Sequence, residues 1–162
     1  MRMIEQLLKH YCRLAGGWRD AHEDCIEWAV QRLREDTDRG DLDIALLAGE
    51  STAEPVQTLA RSILARHVDA SRLDDESIAG QCLLELHREY RAGTVDIEAV
   101  DRRLMSLNRR FDALWLVALG LDCERATAGG PADAFERGFE RLARLWGRSR
   151  DADEFHAHAD TG

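Results

Sequence analysis

The residues of this chain whose types and spacing could do chemistry are a few histidines, cysteines, arginines and carboxylates. His10 and Cys12 near the end of one helical stretch, with His22 and Cys25 at the start of the next, are ligand types that suit zinc. Their spacing is not that of a finger, ribbon or knuckle, and both cysteines fall on apolar stripes, where a thiol packs as a small hydrophobe. No metal and no cofactor are expected. Arg61 and His67, in the run Arg61-Ser-Ile-Leu-Ala-Arg-His67, form a second candidate. There a histidine would move protons while an arginine holds a phosphate. The competing reading is a solvated arginine and a helix-end histidine favoured by the helix dipole.

The paired carboxylates Asp41 with Asp43, Asp74 with Asp75, and Glu136 with Glu140 sit where turns, caps and solvated helix faces are expected. Nothing in their spacing buries them, so the raised pKa that acid catalysis needs is not expected. Glu27 and Asp43 flank the central pair of helices, where pairing with an arginine or a helix end accounts for them. No Glu-x-x-His pair lies within a helix, which gives a di-iron bundle site no support. Gly16-Gly17 and Gly129-Gly130 lack the strand-before, helix-after setting of a phosphate loop, and there is no serine elbow.

Charge narrows the partners. With 22 basic and 31 acidic residues the net charge is 22 − 31 = −9, a field that repels nucleic acid and attracts a basic protein. The 4 cysteines are scattered without a CxxC pair, so a disulfide framework is not expected. The start MRMIEQLLKHYCRL is broken by charges, and no run approaches the roughly 18 apolar residues of a membrane span. The expected location is the cytoplasm.

The elements that must position these groups are helices. Ile4, Leu7, Leu8, Tyr11 and Cys12 make one stripe, closed at Gly16-Gly17, and Cys25, Ile26, Ala29, Val30 and Leu33 make the next. A short apolar helix over Leu42 to Ala48 follows, then one entered through Ser51-Thr52-Ala53-Glu54 with capping-box spacing. Asp74 and Asp75 open another, stopped by Gly93. From Ile97 to Leu121 apolar residues alternate steps of three and four, which predicts one long helix or two nearly collinear ones broken near Asn108-Arg109-Arg110. Phe135, Phe139, Leu142, Leu145 and Trp146 are the core of the last helix. The expectation is an all-α single domain of six to eight helices over residues 1–147, with a flexible polar tail over 148–162.

The run Glu27-Trp28-Ala29, then Leu33, then Asp41-x-x-Ile44-x-x-Leu47-Ala48-Gly49 resembles a pattern of small helical bacterial proteins, some of them similar to immunity proteins encoded beside polymorphic toxins. Tyr90-Arg91-Ala92-Gly93 matches the aromatic and glycine turn of a later helix in that pattern. The likeness covers Ala21 to Leu107, and the link before Asp41 departs from it by being acidic and rich in arginine. The resemblance implies binding: an acidic module covering the active site of a basic toxin with carboxylates and aromatics. Trp18, beside Gly16-Gly17, is the expected exposed anchor, and Asp36, Asp38, Asp41 and Asp43 the expected acidic contact patch. Two alternatives stand beside it. One is an enzyme, since the spacing of Arg61 and His67 is similar to the short motif of small helical ribonucleases. The other is a structural homodimer joined through the Ile97–Leu121 seam.

Overall fold

The computed structural model describes residues 2–35 and 40–161. Nine α-helices and one short 3-10 helix occur among them, with no strand, so the protein is all-α. The chain divides into two compact units, Met1–Leu73 and Asp74–Gly162, where the sequence reading expects a single domain.

In the first unit, α1 (Arg2–Ala15) buries Leu7, Leu8, Tyr11, Cys12 and Leu14, residues that three- and four-residue steps bring to one stripe. It closes at Gly17, whose φ of 86° is open to glycine at little cost. The Gly17 amide donates to the Leu14 carbonyl and the Trp18 amide to that of Arg13. In such a turn the residue after the glycine packs back on the helix it has just left. Trp18 is accordingly only 5% exposed, and the exposed anchor expected there does not exist.

Helix α2 (Ala21–Arg34) buries Cys25, Trp28 and Ala29, and the Trp28 indole N–H donates to the Met3 carbonyl at 2.7 Å. Helices α3 (Leu42–Ala48) and α4 (Ala53–Ala65) follow, and both pack on α2. Thr52 is the N-cap of α4 but its hydroxyl makes no capping bond, so the reciprocal box suggested by Ser51 and Glu54 does not form. Beyond the 3-10 helix Ala70–Leu73, the Arg72 guanidinium grips Glu5 at 2.8 and 2.9 Å. That hydrogen bond outweighs partial burial and holds the Glu5 carboxyl below its usual range.

In the second unit, α5 (Asp75–Arg91) and α6 (Ile97–Arg110) each start at an aspartate whose carboxylate accepts a backbone amide, Asp74 from Ser77 and Asp96 from Ala99. Helix α7 (Leu114–Thr127) does not continue α6. Phe111 and Ala113 are extended, three residues beyond the expected break, and the chain folds back: Asn108 donates to the Leu116 carbonyl, and the Cys123 thiol lies 3.9 Å from the Ile97 carbonyl oxygen. The collinear pair of the sequence reading is a helical hairpin.

Helices α8 (Asp133–Gly147) and α9 (Ala152–Thr161) complete the unit. The Trp146 ring lies flat against Gly80 of α5, and a Cβ at position 80 would collide with the indole. Trp146 also stacks on Phe155, ring centroids 4.3 Å apart and planes 8° off parallel. Phe155 is 3% exposed, and the buried Ser77 hydroxyl accepts the Ala152 amide at 2.8 Å. The stretch expected as a loose polar tail is therefore a docked helix, and it is the one that raises the count above six to eight. All four cysteines are buried and none is in a disulfide, and burial pushes the Cys25, Cys82 and Cys123 thiols up to about 12.

Candidate functional site

The outer side of α3 is where unusual exposure and organised charge coincide. LDIALLA carries apolar residues almost all the way round, and seven residues cannot bury every side against two neighbouring helices. Ile44 and Leu47 turn inward and are buried. Leu42 and Leu46, one helical turn apart, face solvent at 70% and 48% exposure.

Carboxylates frame this pair. Asp41 is the N-cap: its Oδ1 accepts the amides of Asp43 at 3.0 Å and Ile44 at 3.3 Å. Arg66, which caps the C-terminus of α4, reaches across and donates to both Asp41 oxygens at 3.2 and 3.0 Å. The same Nη2 lies 3.5 Å from Asp43 Oδ2. Burial alone would raise the Asp41 carboxyl, but Arg66 and the two amides win and hold it below its ordinary value. Asp41 is 17% exposed against 34% for Asp43, so Asp41 organises the corner while Asp43 is the more open to solvent. Among the described residues two carboxylates face one guanidinium at this corner. Asp36 and Asp38, the other half of the expected acidic patch, lie outside the described residues.

The other sequence candidates are dispersed. The Arg61 guanidinium donates to the Tyr11 hydroxyl at 2.9 Å and the Leu73 carbonyl at 3.1 Å, which ties it to structure. His67 lines a different hollow, beside Trp28, Arg32 and Ile63, so the pair does not converge on one cleft. Cys12 and Cys25 are core residues of α1 and α2. Among the described residues no group of three His, Cys, Asp or Glu side chains is placed to hold a metal. None of the described helices is long and apolar enough to cross a membrane. The C-terminal histidines make structural contacts, His156 with Glu76 at 2.8 Å and His158 with the Ser149 hydroxyl at 3.0 Å.

Sequence reasoning singled out Asp41 and Asp43 and did not single out Leu42, Leu46 or Arg66. The signal for the leucines was available: a short helix apolar on every side must expose something. Arg66 gave none, because its role depends on how α4 ends against α3. No protein-family model, curated protein or solved structure matches this chain.

Proposed function

We propose that the chain is a non-enzymatic protein-binding module that presents the outer side of α3 to a basic partner. The observation that carries this reading is the pairing of solvent-facing Leu42 and Leu46 with the carboxylates of Asp41 and Asp43, fixed in place by Arg66. Exposed leucines supply the apolar contact that sets the lifetime of a complex, and carboxylates around them select a cationic surface and speed its approach. The net charge of −9 acts in the same direction. The sharpest form of the proposal, supported by the resemblance of the α2–α3 region, is an immunity protein that covers the active site of a basic toxin.

The test begins with the chain as bait in its native cell and mass spectrometry of what it retains, followed by affinity measurements on a basic partner recovered in stoichiometric amount. Leu42→Asp with Leu46→Asp should weaken that complex by about 100-fold or more. Asp43→Lys should weaken it less and flatten its salt dependence. Unchanged affinity in the double leucine variant sinks the α3 reading.

A second reading is favoured by a separate observation. On α7, Leu114, Val117 and Leu121 share a face at 87%, 43% and 49% exposure. This face supports self-association, in the form of a homodimer joined through α7. Sedimentation showing a monomer at about 50 µM, well above the range of a specific dimer, would remove it.

A further inference from the structure

A shallow hollow of about 440 Å³ lies between the end of α5 and the exposed face of α8, both in the second unit. Its walls are charged throughout: Arg91, the last residue of α5, and Glu136, Arg137, Glu140 and Arg144 of α8. Arg137, Glu140 and Arg144 follow one another at steps of three and four, which lays them along one stripe of the helix. A glutamate four residues before an arginine ordinarily pairs with it. Here the glutamates turn to α5 instead. The Glu140 carboxylate meets His87 Nε2 at 3.0 Å, and Glu136 accepts the Tyr90 hydroxyl at 2.6 Å. His87 and Tyr90 are themselves set by ring contacts with Phe139, at centroid distances of 4.8 and 5.7 Å. Among the described residues, the guanidiniums of Arg91, Arg137 and Arg144 are left with no hydrogen bond and no ion pair.

The arrangement selects an anion by its shape. A carboxylate presents two oxygens in one plane and suits a single arginine, which engages it through two parallel hydrogen bonds. A phosphomonoester presents three terminal oxygens in a tetrahedral array, which guanidiniums can meet from several sides. The hollow has room for more than a phosphate group, and charged walls suit a polar body rather than an apolar one. Glu136 and Glu140 each give one oxygen to α5 and keep acceptor capacity for ligand hydroxyls. The net charge of −9 opposes an anion at long range. Salt screens exposed charges beyond about 8 Å at physiological ionic strength, so the residues lining the hollow decide.

We propose that this hollow binds the phosphomonoester of a small polyhydroxylated compound, such as a sugar phosphate. Arg91, Arg137 and Arg144 hold the phosphate, and the hydroxyls donate to Glu136 and Glu140. The site belongs to the second unit and does not depend on the protein-binding reading of α3.

The experiment is a titration of the full chain, labelled with nitrogen-15, with glucose 6-phosphate and in parallel with its two parts, glucose and inorganic phosphate, followed by NMR. The ester should shift the amides of Arg91 and of residues 136–144 in a saturable way at up to about 10 mM, and phosphate should bind about tenfold more weakly. Glucose should leave these amides in place. Arg137→Gln with Arg144→Gln, both at exposed positions, should weaken the ester by about tenfold or more while amide dispersion is retained, and Arg144→Gln alone should give a smaller loss in the same direction. Absence of saturable shifts in the unaltered chain overturns the site. Phosphate binding as tightly as the ester overturns the role of the hydroxyls, and glucose binding as tightly overturns that of the phosphate. Unchanged affinity in both arginine variants, or shifts confined to residues away from the hollow, overturns its location.

Discussion

The two units are filled in different ways. The interior of Asp74–Gly162 holds rings in mutual contact: Trp115, Trp146 and Phe155 meet at centroid distances of 4.3 to 5.6 Å, and Phe135 and Phe139 lie 5.3 Å apart with Tyr90 beside them. In Met1–Leu73 the buried rings Tyr11, Trp18 and Trp28 are set among aliphatic residues such as Leu7, Leu47, Ile63 and Leu64, and a hollow of about 190 Å³ remains. Rings fill volume with few rotamers and lock into one arrangement, whereas short helices meeting through branched aliphatic side chains leave space between them.

The largest effect expected from this contrast is at the notch between Gly80 and Trp146. Trp146→Ala should cost about 3–5 kcal/mol in urea unfolding, since it deletes the central ring of the cluster. Gly80→Ala should cost about 1–3 kcal/mol by overpacking, and much of that should return when Trp146→Leu is added. Independent, additive losses in the double variant would show that the two positions do not press on each other.

Enlarging a side chain sharpens the comparison further. Ile44→Phe projects into the hollow and should change stability by less than about 1 kcal/mol, while Leu83→Phe in the second unit should cost about 1–3 kcal/mol. Equal penalties would mean that the hollow is not available space.

The smallest effects are electrostatic and fall at opposite ends of the pH range. The carboxyls of Glu5 and Asp41 are held below their ordinary values of 4.5 and 3.8 by pairing in the first unit. A depressed folded pKa gives stability that is present above the unfolded value and lost as pH falls through the folded one. In the second unit Tyr90, through its hydrogen bond to Glu136 and partial burial, is pushed from 10.0 to about 12. A raised folded pKa gives stability that is present below the unfolded value and lost as pH rises through the folded one. Asp41→Asn should therefore flatten the acid limb of stability against pH, and Tyr90→Phe the alkaline limb, each by less than about 1 kcal/mol because the groups are partly solvated. A Tyr90→Phe variant that keeps the full alkaline loss would remove this tyrosine as its source.

Much of the fold was legible because its determinants are local. Asp74 and Asp96 cap helices with amides only three residues away, and the bounds Leu42–Ala48 follow from an aspartate before and a glycine after. What could not be read depends on distant contacts. The three-and-four spacing from Ile97 to Leu121 suits collinear helices and a hairpin equally, and the reversal at Phe111–Ala113 has no glycine or proline to announce it. The polar composition of residues 152–161 hides the one ring, Phe155, that docks the last helix on Trp146. Trp18 misled for a subtler reason: the glycine turn was visible, but its consequence is to send the following side chain inward. Of the α3 corner the carboxylates were legible, and the arginine that fixes them was not.

The four buried thiols divide evenly, with Cys12 and Cys25 in the first unit and Cys82 and Cys123 in the second. A buried thiol held as its protonated form is inert to disulfide reagents until the surrounding structure opens. The chain thus carries a built-in clock in each unit. The order in which the pairs become labelled under native conditions would record which unit breathes first and how often, with no probe added and no residue replaced.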